Sequence, residues 1–459
     1  MTPTQTDRVT GSQPNHIYVS ERPGRHGIQS VIGRDLVIEP RILSKYCFRE
    51  LDPRIDDLVL IAGAVAFADR VIPRRLISGW PRRLEITVSV HNPEFWEQDA
   101  ILRNLIGTLD LLTGDIWDFR FRSGRTKTPV TIQPSLPLSD NPPIVMPYSD
   151  GLDSFAGARL LALDSRTKLI LVTTGQKADA DVCEGHNVIH RVAIPFRFRH
   201  QLMRFREPSY RSRAFLFGIM TGIAAYLLDA HQIVIPESGQ GALGPWLLPV
   251  GNEAPDIRMH PLFTIRLSKF FEIVFQTRFD HCHPNLWRTK GETLRELAQQ
   301  GLSDGWWKTR SCARDARHAT IEKHRVQCGT CASCLLRRQS LLAAGLPEEK
   351  DSYLWPNLAA NTLAAAAAPG ARTTTKNDII QSACAVADLN HLAALADPHQ
   401  QHHIQMVSVE FARELREDYS SVVAKMTRLI QIHRDEWKSF VAKQGDQSFI
   451  AQWLGALSC

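Results

Sequence analysis

Pro143-Ile-Val-Met-Pro-Tyr-Ser-Asp-Gly-Leu-Asp-Ser-Phe155 is the stretch that decides the fold. Its first part, Pro143 to Pro147, is a short apolar run that reads as a buried strand. A loop leads to Asp153, and Ser154 to Leu163 reads as a helix. A strand turning into a helix through Ser149-Asp150-Gly151-Leu152-Asp153-Ser154 brings free N–H groups, the positive end of the helix dipole and two serine hydroxyls together. That combination is a cradle for phosphate. Gly151 is expected to permit positive φ and close approach of the backbone to the anion. A plain turn capped by serine and aspartate is the other reading of the same residues.

Working outward, Leu169 to Thr174 and Val188 to Ile194 read as β-branched strands, Tyr210 to Ala230 as a long helix, and Gln232 to Pro236 as another strand. Strands alternating with helices imply an α/β fold with a parallel sheet covered on both faces. Such sheets take ligands at the carboxyl ends of their strands, so the loop after the first strand is the place to look.

The chain has 459 residues, more than one hydrophobic core accommodates. Residues 1–34 are expected to be a flexible N-terminus and 35–141 an α+β domain. In the latter, Arg83 to Val90 and Asp115 to Phe121 are strand candidates, and Glu97 to Leu112 a helix. The α/β domain takes 142–350, with a boundary in the Pro- and Ser-rich Pro134 to Pro143. Residues 351–376, with the run Ala364 to Ala368 broken by Pro369-Gly370, read as a linker, and 377–459 as a helical region.

Apolar residues at 44% and charged residues at 22% are ordinary for a globular chain, and a net charge of +6 suits an anionic ligand without arguing for nucleic acid. The polar N-terminus has no signal-peptide order, and Leu58 to Ala68 and Ala214 to Leu228 are too short to span a bilayer. A cytoplasmic protein without a membrane segment is therefore expected, and those two stretches read as buried elements.

Nine cysteines without a secretion signal suggest metal binding over disulfides. Cys328, Cys331 and Cys334 stand at two-residue spacing, Gly329 helps the tight turn, and Cys312 lies upstream. Four thiolates close a tetrahedral shell, which makes structural zinc the first choice, although an iron–sulfur cluster also accepts four cysteines. His318 and His324 are alternative fourth ligands. Arg314, Arg317, Lys323 and Arg325 make the intervening insert basic, either a solvated loop or a binding surface.

With these motifs in hand, the loop resembles the signature S-G-G-x-D-S of PP-loop ATP pyrophosphatases, and the cysteine cluster makes the resemblance specific to the QueC family. Thr289-Lys290-Gly291-Glu292 matches that family's T-K-x-E segment, and Cys334-Leu335 its C-L continuation. The resemblance covers about two hundred residues. It implies that Ser149, Asp150, Gly151, Leu152, Asp153, Ser154 and Arg213 bind ATP with Mg²⁺. It also implies that Asp153, Lys290 and Arg211 act in catalysis. Asp150 departs from the family's second glycine and places a carboxylate near the phosphates.

The family's base-binding segment is not present. Glu237, Ser238 and Gln240 stand where a substrate edge would meet the sheet, or cap the next turn, and His281-Cys282-His283, metal-like in residue type, reads as structural or exposed. The implied reaction is adenylation of a deazaguanine-type carboxylic acid with release of pyrophosphate, then amide formation with ammonia or an amine. The added N-terminal and C-terminal regions resemble QueC-like proteins of bacterial anti-phage operons such as the Qat system. There a partner protein from the same operon would be the acyl acceptor. A non-catalytic nucleotide-binding scaffold and an RNA-modifying PP-loop enzyme are the alternatives, the latter disfavoured because no basic aromatic platform is apparent.

Overall fold

The computed structural model describes residues 15–24, 27–38, 52–74, 79–124, 142–164, 168–175, 180–184, 187–194, 196–198, 205–248, 251, 253–314, 318–348 and 352–457. The expected boundary at Pro134 to Pro143 lies almost wholly outside them.

The N-terminal part runs β1 (Asn15–Ser20), β2 (Ile28–Val31), β3 (Leu36–Ile38), α1 (Pro53–Val71), β4 (Arg83–Val90), α2 (Pro93–Trp96), α3 (Asp99–Thr113) and β5 (Ile116–Ser123). Two strands thus fall inside the segment expected to be a flexible end. Their alternation is short, but Ile17 and Val19 on β1 are fully buried. The sheet order is β2-β1-β4-β5 and every pairing is parallel, so this region is α/β in pattern where an α+β domain was expected. The reason is the crossovers: α1 leads into β4 and α3 leads from β4 to β5, and a helix between strands returns the chain in the same direction.

The central part runs β6 (Ile144–Pro147), α4 (Leu152–Leu161), β7 (Leu169–Thr174), β8 (Ala180–Glu184), β9 (Asn187–Ile194), β10 (Phe196–Phe198), α5 (Arg213–Leu227) and β11 (Gln232–Val234). It continues through α6 (Gly239–Ala242), α7 (Gly244–Leu247), α8 (Pro261–Phe275), β12 (Asp280–Cys282), α9 (Lys290–Gln299), β13 (Thr320–Ile321), β14 (His324–Arg325) and α10 (Ala332–Ala343). The sheet order is β12-β11-β6-β7-β9-β8, parallel except for β8 against β9. The chain moves outward from β6 through β7 to β9, then crosses to the other side of β6 for β11 and β12. The order therefore reverses between β6 and β11, and a crevice opens at their carboxyl ends.

Alternate residues of these strands serve two cores. Val145, Ile170, Val172 and Ile233 join a core shared with α5, α8, α1 and the N-terminal sheet. Met146, Leu169, Leu171 and Val234 face α4 on the other side. Helix α1 is apolar on all sides and buried along nearly its whole length, so it sits between the N-terminal sheet and α5 as a shared layer.

The C-terminal helices are α11 (Lys376–Ala394), α12 (Gln401–Leu415), α13 (Tyr419–Gln444) and α14 (Phe449–Leu457). The expected linker is a correction: Tyr353, Leu354 and Trp355 are buried, and Leu354, Trp355, Leu358, Leu363 and Ala366 share one core with Cys328, Cys334 and α11, α13 and α14. Its alanines obscure this, because the aromatic residues before them carry the burial. Among the described residues no single helix is long and apolar enough to cross a membrane.

Candidate active site and metal centre

The loop after β6 is tied by its own hydroxyls. Ser154 Oγ accepts from Ser149 N–H at 3.2 Å and lies 3.1 Å from Ser149 Oγ, which accepts from Gly151 N–H at 3.1 Å. The helix α4 begins at Leu152 with Gly151 as its N-cap at φ −76°, so the positive φ expected there is not used. A Cβ there would lie 2.9 Å from Ser149 Oγ, so a larger residue would have to displace that hydroxyl from the loop. No residue from 149 to 154 has positive φ, so Asp150 needs no left-handed backbone. Its carboxylate lies 3.6 Å from Arg191, and its carbonyl accepts from Arg310 N–H at 2.6 Å, which anchors the loop to the segment leading to Cys312. Leu152 is fully buried beneath the loop with Phe155 and Leu294, so its part is to pack the helix start.

A cavity of about 460 Å³ opens beside this loop, lined by Ser149, Ser154, Arg213, Glu237, Arg258 and Lys290 among others. The crevice explains the convergence: Ser149 follows β6, Glu237 follows β11, and these strands are neighbours. Apolar lining comes from Phe217, Ile233 and Leu267 and from Leu389 and Leu392 of α11.

Thr289 and Glu292 of the T-K-x-E segment form a capping box at the start of α9, Glu292 N–H donating to Thr289 Oγ1 and Thr289 N–H to Glu292 Oε2. The Lys290 side chain takes no part in that box. It is not a solvated helix-start lysine, because only 5% of it is exposed and its Nζ lies 2.6 Å from Asp153 Oδ2. Burial lowers the Lys290 pKa, but the charges of Asp153 and Glu237 outweigh it and the pKa rises. Asp153 Oδ1 in turn accepts from Ser238 N–H at 3.3 Å. Asp153 therefore does not cap its own helix, and both its oxygens are engaged. Glu237 is pushed up to about 7, first by burial and then by the charge of Asp153, against the opposing pull of Lys290 and Arg258.

Arg213 lines the cavity but Arg211 does not. Arg211, expected in catalysis, lies over the Trp80 ring, 3.5 Å from Asp256 and 3.9 Å from Glu253, whereas Arg213, expected at ATP, lines the cavity together with Arg258. Arg258 gave no motif to find it by, since only folding brings its loop to the crevice; Asp256 holds it, by hydrogen bonds at 2.8 Å and 3.0 Å. The N-terminal layer shapes this wall too, because Asp69 of α1 accepts from Ser212 N–H at 2.8 Å.

Of the three expected substrate residues, Glu237 lines the cavity and Ser238 is buried at the Asp153 contact. Gln240 lines the cavity but has both amide ends occupied, Oε1 accepting from Lys290 N–H at 2.8 Å and Nε2 lying 2.8 Å from His433 Nδ1. Both contacts tie it to the wall of the cavity, where it lies beside the start of α9. His281 lines the cavity and His283 lies beside Thr264. Burial first, then each other's proximity in the case of His281, lowers their pKa values to about 3 and about 4, so both are neutral.

The cysteine cluster assembles with Cys312 as its fourth member. The sulfurs of Cys312, Cys328, Cys331 and Cys334 lie within 4.8 Å of one another. Cys328 Sγ and Cys334 Sγ are 3.8 Å apart, and a tetrahedron with Zn–S bonds of about 2.3 Å has edges of about 3.8 Å. Cys331 N–H points at Cys328 Sγ and Cys328 N–H at Cys312 Sγ, both at 3.3 Å, which favours thiolates. Gly329 has φ +88°, the conformation that turns the chain between Cys328 and Cys331. The four cysteines can thus hold a metal such as zinc. His318 and His324 are exposed and stand outside the cluster. In the basic insert Arg314 pairs with Asp378 and lies over Trp355, so it is a packing residue; Lys323 and Arg325 are exposed, and Arg317 lies outside the described residues.

Comparison of the chain with protein-family models and with curated proteins gave no match.

Proposed function

We propose that the cavity between β6 and β11 binds ATP and that the protein is a QueC-like ATP pyrophosphatase forming an amide from a carboxylic acid. The observation that carries this reading is the meeting, at the reversal of the strand order, of the two loop serines with a buried lysine. In the proposed reaction a carboxylate oxygen of the substrate attacks the α-phosphorus of ATP and pyrophosphate leaves. An amine nitrogen then attacks the acyl carbon, the acyl–oxygen bond breaks, AMP departs, and the nitrogen gives up its proton. Ser149, Ser154 and the first N–H groups of α4 would hold the pyrophosphate oxygens, and Lys290 would stabilise the charge that develops as they leave. Arg213 and Arg258 add cations to the lining, and the apolar walls suit a planar acid of the deazaguanine type.

The donor set does not favour a magnesium ion held by the protein. Asp153 is taken by Lys290 and Ser238, and Asp150 lies beside Arg191, so no step is assigned to that ion. The four cysteines fit structural zinc and hold the segment beside the loop. Defence against phage and a protein as amine donor belong to this proposal through the resemblance alone.

Incubating the protein with ATP and a panel of deazaguanine acids, with ammonia or candidate operon partners, tests the reading. AMP and pyrophosphate are the expected products. ADP and phosphate as main products would reject it, and ATP binding without turnover under any combination would favour the scaffold.

A further inference from the structure

The start of α9, which carries Lys290, is gripped from outside the sheet by one face of α13. His433 is fully buried; its Nδ1 lies 2.8 Å from Gln240 Nε2 and 3.2 Å from Gln339 Nε2, and its Nε2 lies 3.0 Å from Leu389 O. A carbonyl only accepts, so Nε2 carries the proton and Nδ1 is the acceptor. That assignment fixes Gln240. With its NH₂ turned to His433, its Oε1 faces Lys290 N–H at 2.8 Å, and a flipped amide would set lone pair on lone pair and donor on donor.

Glu436, three residues on and on the same face, accepts from Thr289 Oγ1 at 2.7 Å, and Arg428 pairs with Glu292. Side chains of α13 reach the space beside two glycines, although at Gly239 the tightest neighbour is the backbone oxygen of Leu286, 2.2 Å from where a Cβ would lie. A Cβ at Gly291 would lie 2.3 Å from Glu436 Oε1, and one at Gly239 would lie 2.6 Å from Leu429 Cδ2.

We propose that α13 is a positioning element of the site: His433 acting through Gln240, and Glu436 acting through Thr289, hold the start of α9 so that the Lys290 ammonium stays on Asp153 at the cavity. The kinetic consequence rests on the ATP reading above, while the positional one does not. His433 and Glu436 do not line the cavity, so neither is a catalytic residue.

The full chain is compared as wild type, His433→Leu and His433→Asn. Leucine fills the volume without an acceptor, whereas asparagine can place a carbonyl oxygen near the position of Nδ1. Three quantities are read: pyrophosphate release over a range of ATP, zinc content, and the rate at which Lys290 is trapped by reductive methylation and located by mass spectrometry.

In His433→Leu, kcat is expected to fall on the order of tenfold to a hundredfold, because small displacements of a charge-stabilising group cost that much. KM for ATP and zinc content should hold, since the serine loop and cysteine cluster are untouched. Lys290 should be labelled faster, and His433→Asn should restore most of both properties. Wild-type turnover and wild-type labelling in His433→Leu would overturn the proposal, as would loss of zinc together with activity in both variants. If the wild type releases no pyrophosphate, the ATP reading fails by itself. The labelling comparison then decides alone: faster labelling of Lys290 in His433→Leu upholds the positioning role and unchanged labelling overturns it.

Discussion

Lys290 holds its charge with little water around it, and Asp153 is the partner that makes this tolerable. From the sequence, Asp153 reads as a cap or a metal ligand, and either role predicts little loss of stability in Asp153→Asn. The ion pair predicts otherwise. Removing one partner of a buried pair costs about 3–5 kcal/mol, so Asp153→Asn should lower the melting temperature as well as pyrophosphate release. Adding Lys290→Met removes the orphaned charge and should recover the melting temperature but not the activity; an unchanged melting temperature in the single variant would refute the pairing. Glu237 tests the electrostatics with pH. Its carboxyl is raised to about 7, so folding binds its proton more tightly than the unfolded chain does. The associated stability is present below the ordinary carboxyl range and is lost as pH rises through about 7. Glu237→Gln, which stays neutral, should therefore gain in melting temperature relative to wild type between pH 5 and pH 8, and a constant difference across that range would exclude the shift.

Elements carried by a strong local period were legible. Arg83–Val90 and Leu169–Thr174 coincide with their expected strands because side-chain alternation or continuous β-branching is itself the cause of the strand. The helix over Arg213–Leu227 was legible from an apolar run that ends near its observed limits. Short or polar strands were not: β12 is Asp280–Cys282, and only its parallel pairing with β11 makes it a strand. The helical region expected over 377–459 hides a break, since Arg416 at φ +57° ends α12 and Asp418 caps α13. In the site, the strand–loop–helix pattern pointed to Ser149 and Ser154 and the two-residue spacing to the cysteines, while Lys290 was singled out only through the resemblance; folding brings the serines and Lys290 to one cavity and the four sulfurs together. Arg258 and His433 were not legible, because long-range folding alone brings them in. The cysteine element makes its own prediction through α10, whose first turn begins at Cys331 and carries Cys334. Cys331→Ser should lose bound zinc and unfold the surrounding core, since structural zinc contributes about 10–16 kcal/mol in small domains, while exposed Cys384→Ser should keep both. Elemental analysis with thermal melts checks this; full zinc content and wild-type melting in Cys331→Ser would remove the site, and iron in place of zinc would change its metal.

At the scale of the whole molecule, the question is whether residues 377–459 are an appendage or part of the body. A linker at 351–376 would make them separable, and a chain ending at Thr375 would then fold with its metal and its cavity. The packing argues against that. Cys328, Cys334, Leu354 and Trp355 share a core with Ala385, Val386, Trp437, Phe440, Phe449 and Ile450, so cutting the chain there opens the shell of the cysteine cluster to water. The same cut strips Arg314 and Arg372 of Asp378, removes the Leu389 and Leu392 wall of the cavity, and takes away His433 and Glu436. Each large apolar side chain exposed costs about 1.5–3 kcal/mol, and a domain has only about 5–15 kcal/mol to lose. A chain of residues 1–375 is therefore expected to aggregate or to purify without zinc, and limited proteolysis of the full protein should spare 352–375 while it cuts elsewhere. A monodisperse 1–375 fragment with one zinc and native-like melting would restore the linker.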